Sequence, residues 1–256
     1  MRSPIVENKP SCGLLLVTAP VARIVNQKLQ ALKRGEILDA ALHLVSTKGY
    51  ESMAIQELLD NLGISKGALY HYFPSKSALL EALVDRVLVE AEQVLAPVAH
   101  DRSLAAPQAL SQFFVALARY KATERPFIAA VLPIWYSDDN AILRDKVRVV
   151  FAGRLAPMVA TIIRRGCEEG SFAVSSPDQT ARVVLGLTQD LADALARLLL
   201  SGGARSTIAA HMRQMIAATT EAVERVVAAP SGAIWLVEPG GLDVWLQQVE
   251  EKRHEG

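Results

Sequence analysis

The densest cluster of side chains able to engage a partner is the run Ile64-Ser65-Lys66-Gly67-Ala68-Leu69-Tyr70-His71-Tyr72-Phe73-Pro74-Ser75-Lys76. Ser65 is placed as a helix N-cap, since its hydroxyl can accept a free backbone N–H. Pro74 bars the helix from continuing past Phe73. On the short helix between them, Leu69 and Phe73 stand four residues apart and pack inward. Ser65, Lys66, Ala68, Tyr70 and His71 are left pointing outward. A brief helix with a cation, a phenol and small residues on its free face suits the major groove of a DNA duplex, in the manner of the second helix of a helix-turn-helix. His71 does not suggest a metal site, because no second ligand stands at suitable spacing.

The elements around this run must hold it in place. Ile37, Ala41, Leu44 and Val45 form one apolar stripe and predict a helix from about Lys33 to Thr47. Glu36 and Asp39 lie in its first turns, where the dipole favours acids. Lys48-Gly49 ends it, glycine being the natural left-handed residue there. A second helix runs from Ser52 or Met53 to Asn61 and buries Ile55, Leu58, Leu59 and Leu62. Gly63 supplies the positive φ of the tight turn that follows. Ser75 caps a fourth helix, from about Lys76 to Leu95, which Pro97 is expected to break. Beyond a linker at 97–107 the pattern stays helical, with candidate helices at 107–122, 125–136, 140–169, 177–200 and 205–228. A small amphipathic piece, Leu242 to Val249, closes the chain.

The 256 residues are 51% hydrophobic and only 5% aromatic, and Ala, Leu and Val dominate. That composition predicts an all-α protein with a sizeable core. Net charge is zero, but residues 1–80 carry nine basic and six acidic groups, leaving 18 against 21 in the remainder. The front is therefore +3 and the rest −3, which places polyanion affinity at the front. Cys12 and Cys167 make neither a disulfide framework nor a zinc set, and a reducing cytoplasm is expected. No apolar run reaches the ~18 residues a membrane span requires. No dinucleotide fingerprint, P-loop, metal motif or nucleophile–base set is present, so no cofactor and no enzymatic activity are expected.

Gly49-Tyr50, Ile55-Gln56-Glu57-Leu58, Gly63-Ile64-Ser65-Lys66-Gly67 and Leu69-Tyr70-His71-Tyr72-Phe73-Pro74-Ser75-Lys76 together closely resemble the N-terminal domain of the TetR family of bacterial transcriptional regulators, over about residues 33–85. The resemblance implies a homodimer with an N-terminal three-helix helix-turn-helix DNA-binding domain and a larger helical ligand-binding and dimerisation domain. It implies, further, a repressor on double-stranded DNA with an inverted-repeat operator, relieved by a small-molecule effector. Four stretches result: a loose leader at 1–30, the DNA-binding domain at 31–80, the ligand-binding and dimerisation domain at 81–229, and a C-terminal extension at 230–256. Carried over, the DNA-facing positions are Gln56, Ser65, Lys66, Gly67, Ala68, Tyr70, His71 and Lys76. Lys66, Lys76 and the Tyr70 hydroxyl suit phosphates, which set register. Gly67 allows close approach, Ala68 suits a thymine methyl, and Gln56 suits adenine. Where many members carry a hydroxyl residue, this chain has Ala68, Met53 and Ala54.

In the larger half, Val184, Leu187, Leu191 and Leu195 lie on one side of the 177–200 helix, and Met212, Met215, Thr219 and Val223 on one side of the 205–228 helix. These stripes are either intramolecular core or, as the resemblance implies, half of a four-helix bundle between two copies. Phe114, Phe127, Trp135, Tyr136, Phe151 and Met158 are the expected lining of a pocket for an apolar or aromatic ligand. Two further readings stand beside this one. The regulator can answer to a protein partner through an exposed tail after Pro230, or to oxidation of Cys167, which follows Arg164-Arg165-Gly166. Alternatively the chain is a helical small-molecule-binding protein or enzyme that does not use DNA.

Overall fold

The computed structural model describes residues 19–137, 141–201, 204–238 and 241–242. Every regular element among them is a helix: α1 (Ala19–Lys48), α2 (Ile55–Leu62), α3 (Lys66–Tyr72), α4 (Lys76–His100), α5 (Ala106–Thr123), α6 (Arg125–Trp135), α7 (Ala141–Glu168), α8 (Pro177–Ser201) and α9 (Arg205–Val227). None is long and apolar enough to cross a membrane. Helices α1 to α3 form the helix-turn-helix domain, and the rest make a larger helical domain.

Two boundaries differ from those the sequence suggests. Residues 19–30, expected in a loose leader, are the first turns of α1. No glycine or proline interrupts residues 21–34, and Gln27, Lys28, Gln30, Ala31 and Lys33 are good helix formers. Helix α4 also continues through Pro97 to His100. A proline in the last turn removes one backbone hydrogen bond, and Leu95 and Ala99 on either side are buried in the core, which offsets that loss.

The molecule has two main cores. The N-terminal one gathers Ile37, Ala41, Leu44, Met53, Leu58, Leu69, Phe73, Leu80 and Leu83, and it includes Phe127 and Val131 of α6. Helix α6 thus packs on α1 even though the chain enters it from the second domain. The larger core joins α5, α7, α8 and α9 through Leu110, Phe113, Leu155, Ile162, Val184 and Val223, and takes Leu95 and Ala99 from α4. Helix α4 is therefore common to both. Polar ties reinforce it: Arg86 pairs with Asp39 of α1 and with Glu90, and Arg154 of α7 binds Asp85 at 2.9 Å and Glu92 at 3.1 Å.

After α9, Ala228 turns left-handed (φ 56°) and the chain doubles back as a strap. Ile234 and Leu236 are buried. The Ile234 N–H donates to Glu224 Oε1 at 3.0 Å, the Trp235 N–H to Ser111 Oγ at 3.0 Å, and Arg119 grips Glu238 through two bonds of 2.9 and 2.6 Å. Residues 233–238 are thus packed on α5 and α9 and do not form an exposed tail. The helix expected from Leu242 to Val249 lies outside the described residues beyond Leu242, as do residues 1–18 with Cys12.

Candidate nucleic-acid interface and ligand cavity

Local chemistry fixes the attitude of α3. Gly63 ends α2 in the left-handed region (φ 59°), and the Ile64 N–H reaches back to Leu59 O at 3.2 Å. Ser65 Oγ then accepts from the Ala68 N–H at 3.2 Å. Leu69 and Phe73 anchor the helix in the N-terminal core. Ser75 starts α4 by accepting from the Ala78 N–H at 3.0 Å. Ser65, Lys66, Gly67, Ala68, Tyr70 and His71 all stand exposed on the free side, while Tyr72 turns toward the core.

The charges on this face are not equally free. Lys66 Nζ lies 5.9 Å from the centroid of the Tyr70 ring and has no carboxylate partner among the described residues. Lys76, expected to reach a phosphate, donates one N–H to Glu51 O at 3.1 Å and sits 4.6 Å from the centroid of Tyr50, so its ammonium ties the start of α4 to the turn after α1. Lys48 is paired with Glu57. The Gln56 amide donates one N–H to Asp60 Oδ1 at 2.8 Å, which leaves its second N–H and its carbonyl oxygen. One cation is added that the sequence pattern did not point to. Arg34 of α1 is exposed and stacks its guanidinium over Phe73, 5.1 Å from the ring centroid, so cations flank α3 at both ends.

The second candidate site is a cavity of about 350 Å³ between α4, α5, α6, α7, α8, α9 and the strap. Phe114, Phe127, Trp135, Tyr136 and Phe151 line it as expected. Met158 does not; it is buried between helices of the larger core. Helical spacing shows which residues share a face but not which neighbour the face meets. The polar wall groups were also missed: Lys121 on α5, Arg148 on α7, and Gln189 and Asp193 on α8. Their signal was available, since Lys121 continues the apolar stripe Phe114, Leu117 and Ala118 at i+7, i+4 and i+3. Asp193 accepts from Tyr136 OH at 2.9 Å and Gln189 Nε2 at 3.0 Å, and faces Arg148 at 3.9 Å. Burial and this carboxylate push the Tyr136 phenol well above its ordinary pKa. Arg144 and Arg197 stack on the Tyr136 ring, 5.6 and 5.4 Å from its centroid, without lining the cavity.

Four residues expected at a dimer face, Val184, Leu191, Met212 and Val223, are 0–7% exposed within the single chain. They are intramolecular core, because these stripes of α8 and α9 turn toward the rest of their own subunit. Leu187, Leu195, Met215 and Thr219 are half-buried, and Val183 and Leu200 of α8 are exposed. Cys167 is half-buried against the larger core with its Sγ 3.9 Å from Val174 O.

Comparison with known proteins bears on both domains. Residues 37–83 match the model for bacterial regulatory proteins of the tetR family, and residues 135–197 match the model for the tetracyclin repressor-like C-terminal domain. The first curated relatives share only a short stretch, and the chain spans 17% to 35% of their length. The HTH-type transcriptional repressor KstR2 of Mycolicibacterium smegmatis is 25% identical over 181 residues, 68% of this chain and 82% of that protein. The TetR family transcriptional regulator PfmR of Thermus thermophilus is 30% identical over 60% of this chain and 83% of its own, with a TM-score of 0.43. A TetR-family regulator of Pectobacterium atrosepticum has the same fold, with a TM-score of 0.56 at 20% identity over 78% of this chain and 96% of its own. With family models matched at residues 37–83 and 135–197, and a relative 30% identical that the chain covers over 83% of its length, the chain belongs to the TetR family of bacterial transcriptional regulators.

Proposed function

We propose that the protein is a homodimeric repressor that binds an inverted-repeat operator through its two α3 helices and lets go when a small apolar or aromatic molecule fills the cavity. The observation that carries the DNA reading is the solvent-facing set Ser65, Lys66, Gly67, Ala68, Tyr70 and His71 on a helix locked from behind by Leu69 and Phe73. Few free cations serve each subunit, so affinity is moderate and salt-dependent, with a slope set by the small number of phosphates neutralised. A two-fold pair would place its reading helices ~34–36 Å apart, or a multiple of that. The remaining surface of α8 and α9, with Val183, Leu187, Leu200, Met215 and Thr219, supplies the bundle that joins the copies, while Leu195 lines the cavity.

Coupling follows from shared walls. Val84, Phe127 and Val131 belong to the core of the DNA-binding half and also line the cavity. A ligand that shifts α4 and α6 therefore repacks the base of the helix-turn-helix. Complete switching from a 1:99 to a 99:1 balance needs about 5.5 kcal/mol of differential affinity. The test is selection of bound sequences from a random duplex pool by the full chain. Enrichment of an inverted repeat supports the reading, and recovery of no motif, or of a motif without two-fold symmetry, rejects it. Repeating the selection with apolar and aromatic compounds tests release.

A further inference from the structure

The cavity wall is apolar except for a few groups, and these are not equally satisfied. Asp193 has three partners, Tyr136, Gln189 and Arg148. Lys121 has none of that kind. Among the described residues no acceptor lies within hydrogen-bond reach of its ammonium, and its close contact is the Phe151 ring, with Nζ 5.6 Å from the centroid. Lys121 is half-buried and lines the cavity. Desolvation holds its pKa below the ordinary lysine value, although the charge of Asp193 pulls the other way. Of the ionisable wall groups, Lys121 and Arg148 are basic and Asp193 is acidic, so the wall holds one more basic group than acidic and has room for one carboxylate.

We propose that Lys121 anchors the acidic headgroup of an amphipathic monocarboxylate, whose apolar body lies among Phe114, Phe127, Trp135 and Phe151. An enclosed ammonium without an acceptor is costly, and a carboxylate brings both the missing acceptor and the opposite charge. A single negative charge balances the wall. A phosphate dianion overshoots it, a cation is repelled, and a neutral ligand leaves the lysine unpaired. The volume, about 350 Å³, suits a small molecule. This inference rests on reading the cavity as the effector site of the proposed function, and it specifies the ligand class.

The test is calorimetric titration of the full chain with 4-phenylbutanoate, octanoate and decanoate, each against its primary amide. At least one acid is expected to bind about tenfold or more tightly than its amide, as a charge-assisted hydrogen bond implies. That preference disappears in Lys121→Met, whose thermal melt reports that it is folded; Lys121→Gln serves if the methionine variant does not fold. Binding by no acid, equal binding of acid and amide, or a preference that survives loss of the lysine overturns the proposal. DNA affinity is read in parallel. Acid binding that leaves DNA affinity unchanged removes the effector reading and keeps the anchor. Release of DNA by amides as readily as by acids does the reverse.

Discussion

Replacing Lys66 by alanine isolates the electrostatic share of DNA binding. Lys66 is exposed and free of carboxylates, and its one close contact is the Tyr70 ring at 5.9 Å. The fold should therefore lose only about 0.5 kcal/mol, the scale of an exposed cation–π contact. On DNA each phosphate neutralised adds ~0.9 to the slope of log K against log salt, so the two lysines of a dimer account for ~1.8. Carried to 0.15 M salt, that slope corresponds to a loss of ~30-fold in affinity. Because 3 raised to 1.8 is ~7, the penalty should be ~7-fold larger at 50 mM than at 150 mM salt. Fluorescence anisotropy with a labelled duplex over a salt series measures both quantities. The loss should be about equal on selected and random duplexes, since a phosphate contact carries no sequence information. An unchanged slope, or a loss confined to the selected sequence, refutes the assignment of Lys66 to a phosphate.

Three further outcomes follow from particular contacts. A methyl group on Gly166 would overlap Cδ2 of the buried Phe172 ring. The overpacking cost of Gly166→Ala, about 1–3 kcal/mol, then exceeds the ~1 kcal/mol gained in helix propensity, and the melting temperature should fall by several degrees; a variant that melts at or above wild type contradicts this. Val183 is 51% exposed in the single chain, so Val183→Arg should leave the subunit fold within about 0.5 kcal/mol while halving the mass in sedimentation and abolishing tight DNA binding; a dimer of unchanged mass argues against the α8 face. The depressed pKa of Lys121 sets a sign for pH: between its folded value and 10.5 the unfolded chain binds the extra proton, so ligand-free wild type gains stability as pH rises through that window. The stability advantage of Lys121→Met should therefore be largest below the folded pKa and shrink toward pH 10.5, and denaturant titrations showing a constant gap would contradict the desolvation argument.

What the sequence disclosed was decided by local rules. Gly49, Gly63, Ser65, Pro74 and Ser75 act on their own turns, so the helix-turn-helix and its outward residues were legible from the chain alone. What it concealed depended on neighbours. The apolar stripes containing Val184 on α8 and Val223 on α9 do not say whether they meet their own subunit or another, and both residues are buried in their own. Met158 has the same helical spacing as the cavity residues but points into the core between helices. Pro97 reads as a break until Leu95 and Ala99 are seen buried beside it. Lys76 has the type of a phosphate ligand, and its contacts with Tyr50 and the Glu51 carbonyl, set by the turn after α1, are not visible in any local window. Arg34 gained its place beside α3 only through the packing of α1 on Phe73. The strap is held by pairs far apart in the chain, Trp235 with Ser111 and Glu238 with Arg119, which no window of sequence shows.

Hydroxyl-radical footprinting of the full chain on a bound duplex tests the proposed pairing of α3 surfaces most directly. Two protected windows on one face of the duplex, centred about one helical turn or a multiple apart, are the expected pattern, with both windows lost together in the Lys66→Ala, Tyr70→Ala double variant. A single window, or protection that survives in that variant, would mean that the exposed face of α3 is not what meets DNA.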